Sequence, residues 1–310
     1  LAVNARERVV MALNHEEPDR VPLFVGTSGV TTVLGPGYDA LRTHLGIQGG
    51  PVEWISRTMQ YVRIAEEVLL RLGSDARPLL PGPARSSLRK EISAEELVDD
   101  WGIPWRRSPG SLYFEAVTPP LRETTLDDLE RYPWPDLCPP GRFDGLVEEA
   151  KAVQAAGFAT VLVSGITLFE QAYLMRGLDA LLMDLVADPE FFTGLIEKLK
   201  TLMLAYAERL LAEVGPYVDV LVTGDDLGMS AGPMMSPECY RRMLQPHHAD
   251  LLSEIKRRIA GKIFFHSCGD IYRLLGGLVE AGVDIVNPVQ VAAGEMADTA
   301  RLKRGFGARL

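Results

Sequence analysis

The sequence predicts an α/β fold, a (β/α)₈ TIM-like barrel that lacks its last one or two βα units in this fragment. Short apolar runs alternate with longer helical patterns, which is typical of βαβ units and a parallel sheet. About six such runs occur, near positions 21, 76, 160, 218, 262 and 283, whereas a closed barrel needs eight strands. The chain also ends just after a predicted helix over 298–304, which should lead into a seventh strand. The alternative is an open, doubly wound sheet.

The predicted strands are apolar runs rich in β-branched residues, and they cover residues 21–26, 76–80, 160–165, 218–222, 262–266 and 283–289. Helical spacing of apolar residues predicts helices over 55–72, 189–214, 271–281 and 298–304, and one more that opens at Ser236. The helix over 189–214 has the clearest start, because Asp188 can cap it and Pro189 suits its first position.

Residues 1–310 are expected to form a single domain, interrupted by an insertion over residues 81–141. Eight of the 21 prolines lie between positions 104 and 140, together with three of the four tryptophans between 101 and 134. Short alternating pieces such as 111–117 indicate β-hairpins. The insertion either caps the barrel mouth or makes a subunit contact, or it fills space without a further role.

Charge and composition exclude several classes of function. The chain carries 32 basic and 42 acidic residues, for a net charge of −10, which argues against nucleic acid and against an anionic membrane surface as partners. No apolar run reaches the ~18 residues of a membrane-spanning helix. Leu1 to Arg8 do not resemble a signal peptide. Three cysteines are too few for a disulfide framework, so a cytoplasmic setting is expected.

His266 and Cys268 are the sharpest candidates for chemistry. They follow an apolar strand, and residues i and i+2 of a strand point to the same face. An imidazole and a thiolate together suit zinc, although a catalytic zinc needs about three protein ligands. The alternative is a buried histidine satisfied by hydrogen bonds beside an inert cysteine.

A second strand end carries Asp225 and Asp226 between two glycines. Adjacent carboxylates repel each other, which raises one pKa and makes a proton donor plausible. Gly228 is expected to let a substrate approach the backbone closely. The alternative is that one aspartate caps the next turn while the other faces solvent.

Other polar residues occur at the remaining strand and helix ends. The amides of Asn287 and Gln290 are expected to orient a substrate, although an Asn-Pro turn explains the first equally well. Glu238 lies in the first turn of a helix, where it either complements the helix dipole or takes part in catalysis near the mouth. His247 and His248 are expected to be surface residues, because adjacent helical residues face different directions.

The sequence resembles the uroporphyrinogen decarboxylase superfamily, whose fold is a (β/α)₈ barrel. The resemblance is strong over 218–310, fair at the start and weak over 81–140. It is carried by Arg6-Glu7-Arg8, by Glu17-Pro18-Asp19-Arg20-Val21-Pro22, by Gly224-Asp225-Asp226-Leu227-Gly228 with Ser236-Pro237-Glu238, by His266-Ser267-Cys268-Gly269, and by the run from Gly282 to Gln290.

Two branches of the superfamily imply different activities for this sequence. Uroporphyrinogen decarboxylases are cofactor-free and grip propionates with an Arg-Gln-Ala-Gly-Arg motif, whereas residues 23–29 here read Leu-Phe-Val-Gly-Thr-Ser-Gly. The corrinoid-dependent methyltransferases carry the His-x-Cys-Gly motif as a zinc site, whose third ligand is a cysteine near the C-terminus. In this sequence that cysteine would lie beyond Leu310.

The methyltransferase branch implies zinc held by His266 and Cys268 and a corrinoid carried by a partner protein. Its substrate would be a small methylated molecule, either a methoxylated aromatic or a thiol, and Asp225 or Asp226 would protonate a leaving phenolate. The alternatives are a metal-free decarboxylase and a ligand-binding member without activity. Homodimerisation stays open.

Overall fold

The structure is a computed structural model that describes residues 3–48 and 50–310, so Leu1 and Ala2 of the N-terminal stretch lie outside the described residues. The α-helices, numbered in chain order, are α1 (Ala5–Leu13), α2 (Gly35–Leu45), α3 (Glu66–Leu72), α4 (Leu126–Arg131), α5 (Leu146–Ala155), α6 (Phe169–Arg176), α7 (Leu178–Ala187), α8 (Pro189–Val214), α9 (Pro237–Met243), α10 (Gln245–Lys256), α11 (Leu275–Ala281) and α12 (Thr299–Phe306). Short 3₁₀ helices cover Gly215–Tyr217, Tyr272–Leu274 and Gly294–Ala297.

Within residues 3–48 and 50–310, the strands form one parallel sheet and three smaller antiparallel ones. They are β1 (Trp54–Ser56), β2 (Tyr61–Val62), β3 (Ala76–Leu79), β4 (Lys90–Glu91), β5 (Glu96–Val98), β6 (Pro104–Arg106), β7 (Glu115–Ala116), β8 (Ala159–Val163), β9 (Val220–Gly224), β10 (Gly228–Met229), β11 (Gly232–Pro233), β12 (Lys262–His266) and β13 (Ile285–Asn287).

The central sheet is parallel and has the order β3-β8-β9-β12-β13. Neighbours in space are therefore neighbours in the chain, as in a barrel, whereas a doubly wound sheet reverses its order at a switch point. The α/β class and five of the six predicted strands are confirmed. In the part of the chain that the structure describes, β3 and β13 are edge strands that do not pair with each other.

The strand predicted over 21–26 is wrong. Leu23 does run beside the start of β3, where its carbonyl accepts a hydrogen bond from the Asp75 N–H at 2.8 Å. The preceding residue is Pro22, which has no N–H to extend a ladder. The segment turns away at Gly26, which has a φ of +75°.

The helix predicted over 55–72 is wrong in its first half. That half forms the hairpin of β1 and β2, and only α3 is helical. The chain reverses at Gln60, whose φ of +56° lies outside the helical region. The apolar residues that suggested a helix instead pack with α2 and α3 in a small cluster that includes Val62, Ile64 and Val68.

The region 81–141 contains the four-stranded antiparallel sheet β4-β5-β6-β7. Its tryptophans are held in place, since Trp105 donates to Asp99 at 2.8 Å and Trp134 donates to the Leu129 carbonyl at 2.8 Å. The region borders a cavity of about 540 Å³ that reaches Ser164 and Gly165, directly after β8. That it caps a barrel mouth stays a prediction.

The long helix α8 packs against α5, α6, α7 and α10 and supplies much of the core. It begins as predicted, with the Asp188 carboxylate accepting from the Phe191 N–H at 3.1 Å. Its buried face includes Phe192, Leu195 and Leu199, at the spacing of one helix stripe. Among the described residues, no helix is both long and apolar enough to cross a membrane.

Candidate metal centre

The candidate site lies where neighbouring parallel strands end. His266, the last residue of β12, is level with Gly224 of β9 on one side and with Asn287 of β13 on the other. The segments that follow these strands therefore meet at the carboxyl edge of the sheet, where parallel α/β folds place their ligands. The structure brings together three of the polar segments that the sequence singled out.

Asp226, His266 and Cys268 form a cluster of three unlike donors. One ligand atom of each lies within 4.8 Å of the others. The Cys268 Sγ is 3.4 Å from His266 Nε2, which is 3.8 Å from Asp226 Oδ1. A thiolate sulfur, an imidazole nitrogen and a carboxylate oxygen are the ligands that zinc takes in proteins, and three protein ligands leave a fourth position open. The donor set therefore fits a catalytic-type zinc site.

Asn287 orients the imidazole of this cluster. Its side-chain oxygen lies 2.8 Å from His266 Nδ1, and an amide oxygen only accepts, which assigns the proton to Nδ1. The lone pair of Nε2 then faces Asp226 and Cys268. A hydrogen bond of this kind is the usual support of a metal-binding histidine. The predicted substrate role of Asn287 stays a prediction.

The loop after β12 is packed tightly against the loop after β9. Gln290 accepts a hydrogen bond from the Gly269 N–H at 2.7 Å, and Asp226 accepts one from the Cys268 N–H at 2.7 Å. A Cβ on Gly228 would lie 2.5 Å from the Cys268 carbonyl oxygen. The group that lies close to Gly228 is thus backbone of the same chain. Substrate binding by Gly228 and Gln290 stays a prediction.

Asp225 points away from Asp226 and is buried among hydrogen-bond donors. Its carboxylate accepts from the N–H groups of Leu168 at 3.0 Å and Glu170 at 2.7 Å, and it lies 2.8 Å from His248 Nε2. The expectation that His248 lies on the surface is wrong, since only 2 % of it is exposed. His247 is buried as well, because both faces of α10 are covered here, one by α8 and one by α11.

Glu170 belongs to this site, although the sequence analysis did not single it out. Burial, with smaller contributions from the charges of Asp225 and Asp226, raises the pKa of Glu170 to about 8. Burial and the charge of Asp226 likewise raise the pKa of Cys268 to about 11. The signal in the sequence was the position of Glu170 just after the buried strand β8, where the loops of a barrel carry function.

The electrostatics of the site are strongly negative. Carboxylates and the Cys268 thiol are the charges that raise the pKa of Tyr173, after burial itself. No lysine or arginine contributes to the shifts of Glu170, Tyr173 or Cys268. A cluster of acids whose basic neighbours are histidines, which can also ligate a metal, suits a bound cation better than an anionic substrate.

Glu238 lies in the first turn of α9, whose start is capped by Ser236 through the Cys239 N–H at 3.1 Å. This position complements the helix dipole. No contact between Glu238 and the Asp226–His266–Cys268 cluster occurs among the described residues. Its catalytic role stays a prediction.

Comparison with known proteins places this geometry in context. The family model described as Uroporphyrinogen decarboxylase (URO-D) matches residues 114–299, more than half of the chain. No curated protein matches the sequence significantly. Among solved structures, a methyltransferase from Methanosarcina mazei is similar with a TM-score of 0.55 and 16 % identity, over 91 % of this chain and 75 % of that one. At this identity the similarity shows a shared fold.

Proposed function

The chain belongs to the uroporphyrinogen decarboxylase (URO-D) family, and on this premise we propose that it is a zinc-assisted methyltransferase. It moves a methyl group between a small methylated substrate and a corrinoid that is held by a separate protein. The small substrate is a methoxylated aromatic or a thiol. The similarity in fold to a methyltransferase supports this branch of the family.

The observation that carries the proposal is the cluster of Asp226, His266 and Cys268. These three residues would hold the zinc, with Asp226 as the third ligand beside His266 and Cys268. When bound, zinc supplies Lewis-acid activation of an ether oxygen or lowers the pKa of an acceptor thiol. The family's decarboxylases need no such donor set.

The neighbouring acids then take different roles. In the metal-free protein the pKa of Glu170 is raised to about 8, and we propose that this carboxyl group donates a proton to a leaving phenolate. Asp225 was expected to share this task with Asp226, but its carboxylate is occupied by two backbone N–H groups and His248. We therefore assign proton donation to Glu170 and metal binding to Asp226.

A metal-free decarboxylase is the second candidate, favoured by the match to the family model. A porphyrinogen-like substrate carries many carboxylates and requires basic residues to hold them. The acidic surroundings of Glu170 and Cys268 oppose such a substrate. The methyltransferase is therefore the better supported activity.

Metal analysis tests the proposal directly. We expect about one zinc per chain in the wild type, and its loss in His266→Ala, Cys268→Ala and Asp226→Ala. Cys239→Ala is the matched control, because this half-buried cysteine lies in α9 outside the cluster. Transfer is then assayed with methoxylated aromatics and free cob(I)alamin as acceptor, followed by the absorbance of methylcobalamin. Wild-type protein without metal, or with metal that survives all three substitutions, would refute the proposal.

A further inference from the structure

Three buried side chains form a hydrogen-bonded chain behind the candidate metal centre. The Tyr240 hydroxyl lies 3.1 Å from His248 Nδ1, and His248 Nε2 lies 2.8 Å from Asp225 Oδ2. A carboxylate only accepts, so Nε2 carries a proton and donates to Asp225, and in the neutral imidazole Nδ1 then accepts from the tyrosine. All three side chains are at least 97 % buried. The direction of the hydrogen bond from His248 to Asp225 is therefore fixed.

Asp225 uses its remaining capacity to hold the first turn of α6. The residue that precedes this helix is Leu168, which has no polar side chain to cap it. Asp225, from the end of β9, accepts from the N–H groups of Leu168 and Glu170 instead. Asp225 thus caps α6 from a different part of the chain, whereas most helices are capped by an Asp or Ser at their own N-terminus.

The hydrogen bonds from this turn to Asp225 also fix the position of Glu170. The residue sits in the turn that Asp225 caps, and its backbone N–H makes the shortest of the hydrogen bonds to that carboxylate, at 2.7 Å. Its side chain lies close enough to Asp226 and Cys268 to interact with their charges. A shift of the first turn of α6 would move Glu170 relative to the cluster, and positioning errors of about 1 Å cost up to ~10²-fold in rate.

We infer that His248 is a positioning residue: by donating to Asp225 it fixes the start of α6, and so holds Glu170 beside the Asp226–His266–Cys268 cluster. Tyr240 keeps the imidazole in the tautomer that donates. The functional consequence rests on the proposed role of Glu170 in methyl transfer, whereas the ordering of α6 does not depend on it.

Amide hydrogen exchange of the metal-free and metal-loaded protein tests the ordering without any substrate. We expect His248→Leu to speed exchange at Leu168 and Glu170 at least tenfold, while β12 and α8 stay unchanged. His248→Gln keeps a donor near the position of Nε2 and should restore slow exchange. Tyr240→Phe, which keeps the packing volume, should give an intermediate increase, and it carries the test if His248→Leu does not fold. Unchanged exchange at both amides in the variants that fold would overturn the inference.

A double-mutant cycle tests the link to Glu170. His248→Leu and Glu170→Gln should each lower kcat with little change in KM, and their combination should be no slower than the slower single variant. His248→Gln should recover most of kcat. Additive losses would overturn the link to Glu170. Wild-type protein that transfers no methyl group would instead refute the proposed function, while the exchange result would still stand.

Discussion

Glu170 is a carboxyl group held among other carboxylates, and this surrounding decides its protonation. It is only partly exposed to solvent, and the two nearby charges that act on it are both negative. Cys268 experiences the same field, so its thiol also keeps its proton in the absence of metal. A divalent cation at the cluster would favour the thiolate of Cys268, which would be one of its ligands. Metal binding should therefore release protons at this site.

Glu170→Gln is expected to stabilise the metal-free protein at alkaline pH. The pKa of Glu170 is raised from 4.5 to about 8 in the folded protein, so the wild type loses stability as the pH rises between these values. Glutamine has no charge to bury and escapes this loss. Unfolding by urea in the presence of a chelator should show similar stabilities near pH 4.5 and a gain on the order of 2–4 kcal/mol at pH 8.5.

The exposed Glu148→Gln in α5 serves as the control for this comparison, because it alters the net charge by the same amount away from the site. It should show no such pH-dependent gain. An advantage of Glu170→Gln that is the same at both pH values would contradict the assignment of a buried, protonated carboxyl group.

At the scale of elements, the arginines of the N-terminal motif serve the opposite edge of the sheet from the metal centre. Arg8 and Arg20 both bind Asp75, at the start of β3, at 2.7 Å. Arg6 reaches Asp219 just before β9 at 2.9 Å. The residues that carried the family resemblance at the N-terminus therefore tie α1 to the amino ends of the strands. Contacts at the amino ends of parallel strands serve stability rather than catalysis.

Asp75→Asn is expected to destabilise the fold strongly. Asp75 is buried, and it also accepts from the Leu23 N–H at 2.8 Å. A neutral side chain here would leave the positive charge of the largely buried Arg8 without full compensation. Breaking such a pair costs on the order of 3 kcal/mol. Asp19→Asn removes an exposed partner of the same Arg8 and should cost clearly less than Asp75→Asn. Chemical denaturation measures both, and equal costs would contradict this account.

At the scale of the whole molecule, local signals predicted local features well. The capped start of α8 and the two-residue spacing of His266 and Cys268 depend on residues close together in the chain, and both are present. Glu170 and His248 could not be predicted in this way. They lie 55 and 23 residues from Asp225 in the sequence, and only the order of strands in the sheet brings them to it.

The two wrong predictions have different origins. The apolar residues of 55–72 fit helical spacing, but the first part of this segment forms a hairpin, from which Val62 packs with residues of α2 and α3. The segment at 21–26 has the composition of a strand, yet Pro22 removes the N–H that a ladder would need. In both places a contact or a missing donor outweighed the local pattern.

Zinc is expected to stabilise the whole fold, because its ligands come from two strands that are separate in the chain. Asp226 follows β9, whereas His266 and Cys268 belong to β12 and the loop after it. A ligand that binds only the folded state stabilises it by about 2.7 kcal/mol at a hundredfold excess over its Kd. For a protein of this size, we expect addition of zinc to the metal-free protein to raise Tm by about 5 °C or more. Differential scanning calorimetry measures the shift, which should vanish in Cys268→Ala and persist in Cys239→Ala. A wild-type Tm that does not respond to zinc, or a response that persists in Cys268→Ala, would place the metal elsewhere or exclude it from the folded protein.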